Sequence, residues 1–242
     1  METLPPIAGV MNGAMVLRDT SIQQMTYENL TDVIKPKVNG SIHLDRIFHD
    51  VDLDFFVLIS SINCVVGNLG QANYAAANTF MCALAAQRRK RGLRAATVNS
   101  GAIIGAGYME RESRRALDMI VQKLNMMRLS EEDWCQTICE AIDASRLESD
   151  VGAELTTGLS DVAFDTPSAP YWFTNPKFSD FICRQESSAS TSDEKKGAVA
   201  SVKDQLAEAE SEEQVFTIVQ GKLSFQIVSV QRRKKRTLAN AL

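Results

Sequence analysis

Three side chains carry types able to hold a ligand by hydrogen bonds: the hydroxyl of Ser61, the phenol of Tyr74 and the amide of Asn78. Ser61 closes the run Phe55-Phe56-Val57-Leu58-Ile59-Ser60-Ser61, and Tyr74 opens the string Tyr74-Ala75-Ala76-Ala77-Asn78. A spacing of four places Tyr74 and Asn78 on one helix face. All three groups hydrogen-bond oxygen, and a phenol can also give up a proton. A free phenol has a pKa of about 10, so a neighbouring cation must stabilise the phenolate it leaves behind. Taken singly, a tyrosine or serine at the end of a strand or helix is usually structural.

The elements that must position these groups are legible around them. Five bulky apolar residues, Phe55 to Ile59, bounded by Asp54 and two serines, predict a strand covered on both faces, as in parallel sheets. Ser60 and Ser61 then lie at its carboxyl end, the edge where open α/β sheets bind ligands. The alanine-rich segment from Asn73 predicts a helix that runs into Arg88-Arg89-Lys90-Arg91, cations suited to a helix C-terminus, and stops at Gly92. Thr26 to Phe48 reads as helical, with Leu30, Val33 and Ile34 on one face and Ile42, Leu44 and Ile47 continuing after Pro36. That proline predicts a kink beside Lys37. Arg94 to Asn99 reads as the next parallel strand, and Ser100 to Gly107 as a glycine-punctuated loop. Ser130-Glu131-Glu132-Asp133 predicts a capped helix start, the helix running to about Ala144. Leu155 to Leu159 reads as the last strand, Pro170 to Phe173 as an aromatic anchor, and Pro6 to Val10 as the tail of a strand followed by a small-residue turn.

With these residues in place, Ser61, thirteen positions before Tyr74, and the Tyr-Ala-Ala-Ala-Asn string resemble the active-site segment of a short-chain dehydrogenase/reductase. Most of that superfamily has lysine where Asn78 stands. The exchange resembles the ketoreductase domains of polyketide synthases, which carry the lysine upstream in a Pro-Lys-Val-x-Gly string, here Pro36-Lys37-Val38-Asn39-Gly40. Gly13 to Asp19 and Gly70-Gln71-Ala72-Asn73-Tyr74 are similar to fungal highly reducing polyketide synthases and their hybrids with peptide synthetases, and the likeness covers roughly residues 6–183.

The resemblance implies an α/β fold, the carboxyl half of a doubly wound Rossmann-like parallel sheet, followed by a disordered linker and a C-terminal helix. It implies Tyr74 as proton donor, Lys37 as the cation that steadies the phenolate and binds the cofactor ribose, Ser61 on the substrate oxygen, and Asn78 holding the lysine or a proton-relaying water. NADPH is the implied cofactor, with Ala8, Gly9, Lys37, Gly101 and Ile103 against it. The implied substrate is a β-ketoacyl thioester on the phosphopantetheine arm of an acyl carrier domain, and the other implied partners are the remaining synthase domains. Tyr108 to Arg128 corresponds to a lid over the substrate. The family's stereochemical fingerprints do not apply: Met11-Asn12-Gly13 replaces Leu-Asp-Asp, and Val66 stands where a tryptophan would.

The organisation expected is a partial ketoreductase domain over 1–183, a flexible linker over 184–204 rich in serine, and a truncated carrier-like helix with a basic tail over 205–242, without the Asp-Ser-Leu attachment string. The Gly-rich turn for a dinucleotide pyrophosphate is also absent from the sequence, since Gly101, Gly105 and Gly107 have the wrong spacing. The expectation is that the chain by itself neither binds NADPH tightly nor turns over. A non-catalytic truncated fragment or interaction module, and a free-standing short-chain dehydrogenase, remain the alternative readings. A net charge of −4 does not advertise a nucleic-acid or membrane-surface protein, and neither a signal peptide nor a membrane-length apolar run is present, so cytoplasmic is the default location. Five scattered cysteines, Cys64, Cys82, Cys135, Cys139 and Cys183, predict buried free thiols in preference to a disulfide framework or a metal site.

Overall fold

Strand β2 (Phe55–Ser61) is the centre from which the fold is built. Its side chains alternate between two cores. Phe56 and Leu58 pack with Val10, Met81, Leu84 and Ala85, whereas Val57 packs with Val98, Leu155, Ala141 and Ala144. Full burial of such a side chain contributes about 1.5–3 kcal/mol, so a strand with both faces covered is anchored from both sides. In this computed structural model the described residues are 5–105, 121, 125–149, 152–167, 169–183 and 214. The chain divides into two units, Met1–Arg184 and Gln185–Leu242, and the elements below belong to the first.

A parallel sheet runs in the order β1 (Gly9–Asn12), β2, β3 (Ala96–Ser100) and β6 (Glu154–Thr156). Helices cover both its faces: α4 (Ala72–Lys90) on the first core and α5 (Glu131–Ala144) on the second. This is the α/β, Rossmann-like architecture expected. Two further strand pairs, β4 (Ala102–Ile103) with β5 (Arg128–Leu129) and β7 (Val162–Ala163) with β8 (Ile182–Cys183), lie outside it.

The helix boundaries follow from local chemistry. α1 (Tyr27–Ile34) opens on a capping box between Thr26 and Asn29, and α5 opens on one between Ser130 and Asp133. α4 ends in Arg88, Arg89 and Lys90, with Gly92 beyond it at φ +77°. Where a proline kink is predicted, the chain instead widens into a π turn over Lys35–Asn39 and continues as α2 (Gly40–Ile47); the Gly40 N–H reaches back five residues to the Lys35 carbonyl. Pro36 has no N–H to give, and the wider turn carries Lys37 inward, where it is 2% exposed.

Four expectations shift. The strand read as Arg94–Asn99 begins at Ala96, and the one read as Leu155–Leu159 is Glu154–Thr156. The small-residue stretch at the start of the chain is not the tail of a strand, because β1 begins at Gly9. The cysteines are less buried than their apolar surroundings suggest: Cys64 and Cys82 are partly exposed, and Cys135 and Cys139 are exposed on α5, whose inward face is made by Thr137, Ala141 and Ala144. Most of the lid segment, the linker, the C-terminal helix and the basic tail lie outside the described residues.

Candidate active site

The carboxyl end of β2 delivers Ser61 beside Ser100 of β3, and the Ile62 N–H donates to the Ser100 carbonyl at 2.9 Å. A short helix α3 (Asn63–Val66) then turns the chain toward α4, and the Asn63 N–H donates to Ser61 Oγ at 3.2 Å. The first turn of α4 brings Tyr74 over this edge. Its ring is buried at 8% exposure, and its hydroxyl donates to Met15 Sδ at 3.3 Å. Burial pushes the Tyr74 phenol above its ordinary value, and hydrogen bonding by Ser61 and Asn78 draws it partly back.

Lys37 approaches from the π turn. Its ammonium lies 5.4 Å from the centre of the Tyr74 ring, donates to the Ile59 carbonyl at 2.7 Å and touches Met81 Sδ at 3.8 Å. Desolvation lowers its pKa to about 8, opposed by the negative charge that Cys64 and Cys82 can carry. Asn78, fully buried, donates through Nδ2 to the Tyr74 carbonyl at 2.8 Å, while its Oδ1 has no hydrogen-bond partner among the described residues. An orphaned buried acceptor costs about 1–3 kcal/mol, which makes that oxygen a site for a donor supplied from outside. Lys37, Ser61, Tyr74 and Asn78 therefore meet at one place.

The remaining expected positions divide. Gly101 follows Ser100 directly at the carboxyl end of β3, and Ile103 comes two residues later in β4, paired with Leu129 of β5 outside the main sheet. Gly101 is held against Gly158, whose Cα would stand 2.8 Å from a Cβ placed there, so close loop packing requires the glycine. Ala8 and Gly9 are not brought to the site. Gly9 pairs with Phe55, six residues before Ser61 in β2, which corresponds to roughly 20 Å along the strand. The Asp54 N–H donates to the Ala8 carbonyl at 2.6 Å, and the Phe55 ring covers Gly9 so closely that a Cβ would come within 2.3 Å of it. In this register the residue that arrives at the Tyr74 hydroxyl is Met15, which sequence reasoning did not single out.

The KR-domain family model matches residues 1–105. The chain is 60% identical over 95% of its length to the highly reducing polyketide synthase calA of Penicillium decumbens, and 53% identical over 91% to sthA of Phaeosphaeria nodorum. It spans 8% of the length of each of those relatives. Among solved structures, a ketoreductase from the first module of phoslactomycin biosynthesis in Streptomyces sp. HK803 superposes with a TM-score of 0.56 at 32% identity, over 63% of this chain and 33% of that one. An A-type ketoreductase from a modular polyketide synthase gives 0.57 at 29%, over 64% and 31%. Matching motifs, parallel sheet and solved neighbours agree: the chain belongs to the ketoreductase family of polyketide synthases.

Proposed function

We propose that this chain supplies the reacting edge of a ketoreductase that reduces a β-ketoacyl thioester, held on the phosphopantetheine arm of an acyl carrier domain, to the β-hydroxyacyl thioester. The observation that carries this reading is the burial of the Lys37 ammonium 5.4 Å from the Tyr74 ring, together with an Asn78 oxygen that has no donor among the described residues. NADPH, when bound, supplies the hydride. The residues fit its reacting end: Lys37 offers a donor to ribose hydroxyls, Asn78 Oδ1 offers an acceptor, and Gly101 and Ile103 belong to the stretch that follows Ser100.

Each side chain then has one task. Ser61 donates a hydrogen bond to the ketone oxygen and fixes it. Tyr74 gives that oxygen its proton, a general acid step of the kind that contributes about 10²–10⁴-fold. Lys37 stabilises the phenolate, and its lowered pKa of about 8 leaves it mostly charged at neutral pH. Asn78 Oδ1 accepts from the ammonium or from a water that returns the proton to Tyr74. Met15 yields its place at the Tyr74 hydroxyl to the ketone oxygen. The proposed organisation is a ketoreductase segment over 1–183, a linker over 184–204 and a carrier-like helix with its tail over 205–242, supported by the division of the chain after Arg184. The proposed setting is a cytoplasmic synthase, whose other domains are the partners. No helix among the described residues is long and apolar enough to cross a membrane.

Two measurements test the proposal. With this chain installed in place of the matching segment of a highly reducing synthase, Tyr74→Phe should lower NADPH-dependent reduction of a carrier-bound β-ketoacyl group by about 10²–10⁴-fold. An unchanged rate overturns the assignment. No Gly-x-Gly-x-x-Gly string occurs in the 242 residues, so this polypeptide by itself should show no micromolar affinity in an NADPH titration. Micromolar binding would contradict that part of the reading.

A further inference from the structure

Beneath the Ser61 and Tyr74 pair lies a cluster that the reduction of a ketone does not use. Cys64 of α3 and Cys82 of α4 face each other with their sulfurs 4.0 Å apart. Both thiols point at one oxygen, Asn99 Oδ1, at 3.2 Å from Cys64 and 3.3 Å from Cys82. That oxygen cannot turn away, because the Asn99 amide nitrogen is held by Glu154 Oε1 at 2.8 Å and Thr156 Oγ1 at 3.1 Å. Ser60 Oγ lies against the same pair, at 3.5 Å from Cys64 and 3.9 Å from Cys82. A single acceptor shared by two donors keeps the two sulfurs side by side, and both are partly exposed.

We propose that Cys64 and Cys82 are a paired-thiol modification site, oxidised by a peroxide to a disulfide that ties the segment after Ser61 to the helix carrying Tyr74. In the first step the Cys64 sulfur attacks one oxygen of hydrogen peroxide. The O–O bond breaks, water leaves and Cys64 becomes a sulfenic acid. In the second step the Cys82 sulfur attacks the Cys64 sulfur, the S–O bond breaks, and the hydroxyl departs as water with the Cys82 proton. Two electrons pass from the two thiols to one peroxide. The sulfurs close from 4.0 Å to about 2.0 Å as the bond forms. The assignment of attacker and resolver follows the local electrostatics: the hydrogen bond from Cys82 draws Cys64 below the ordinary thiol value, and the same contact, with burial, pushes Cys82 above it.

The covalent consequence reaches the site. Cys82 follows Asn78 by four residues and Tyr74 by eight, on one face of α4, and Cys64 follows Ser61 by three. A disulfide therefore joins the two segments that present the phenol and the hydroxyl. The inference stands on the sulfur geometry and does not depend on the reaction proposed above.

The full 242-residue chain, purified under reducing conditions, is treated with hydrogen peroxide, alkylated and mapped by mass spectrometry. The expected result is a Cys64–Cys82 linked peptide and loss of alkylation at both residues, formed before oxidation of the exposed Cys135 and Cys139. In Cys82→Ser the expected product is a Cys64 sulfenic acid trapped by dimedone. Alkylatable Cys64 and Cys82 in wild-type chain whose Cys135 or Cys139 is already oxidised would overturn the proposal, and that wild-type measurement decides even if the variant does not fold.

Discussion

The β2 and α4 region and the strand β1 beside it are held in register by different means. In the first, Ser61, Tyr74 and Asn78 sit on elements packed from two sides: Phe56 and Leu58 against α4, Val57 against the core beneath α5. Sliding such a strand by one residue would turn every buried side chain to the wrong face, so its register is strongly specified. β1 is four residues long and lies at the edge of the described sheet; its buried positions alternate, but only Val10 of them is apolar, the other being Asn12. An edge strand with one apolar anchor takes its register from polar contacts. Here these are the Asn12 amide, which donates to Ser41 Oγ at 2.9 Å and to the Pro36 carbonyl at 3.3 Å, and the Phe55 ring over Gly9. Residues inherited by motif thus converge where packing fixes them, while Ala8 and Gly9 lie roughly 20 Å up the strand from Ser61.

Variants on the two sides of this contrast should separate it. The largest effect is expected in the doubly covered region. Arg88, 1% exposed and stacked 3.9 Å over the Phe56 ring, is neutralised by Asp45 at 2.5 Å, so Asp45→Asn leaves a buried guanidinium without its carboxylate. Chemical denaturation should report a loss of about 3–5 kcal/mol. Next comes Lys37. Its folded pKa is about 8, below the ordinary lysine value, so between these two values the unfolded chain binds more protons and stability from this group rises with pH. The contribution is fully present above the unfolded value of about 10.4 and is lost as pH falls through the folded value. Denaturation curves of wild type and Lys37→Met should therefore differ in pH slope across that window by roughly 3 kcal/mol in total, the Lys37 component being absent in the variant.

Smaller effects belong to the edge. Gly9→Ala meets the Phe55 ring at 2.3 Å and should cost about 1–3 kcal/mol if the register is the one described; a neutral effect would mean that Gly9 faces open space. Asn12→Ala removes the hydrogen bonds to Ser41 Oγ and the Pro36 carbonyl and the one accepted from the Ala14 N–H, and should cost about 1–2 kcal/mol, with the change in amide exchange confined to β1 and the π turn.

The same contrast explains how far the sequence could be read. The Phe55–Ile59 run, the alanine-rich helix with its basic last turn, and the Ser130 cap are local signals, and each element forms where its own residues dictate. Pro36 marked an irregularity beside Lys37, but whether it becomes a kink or a π turn depends on where the Gly40 N–H finds a carbonyl. The β1 register and the role of Met15 depend on contacts from distant segments and leave no periodic trace. For the thiol pair a partial signal existed: Tyr74, Asn78 and Cys82 recur every four residues. The partner Cys64 and the shared Asn99 come from two other segments, which only the fold brings together.

The central claim is that a buried ammonium sits against the Tyr74 ring. Titration of the Lys37 side chain by heteronuclear NMR, assigned through Lys37→Met, measures it directly. A pKa of about 8, with the Lys37 signal displaced when Tyr74 is replaced by Leu, is the predicted result. Titration at the ordinary lysine value of about 10.4, indifferent to Tyr74, would contradict the account.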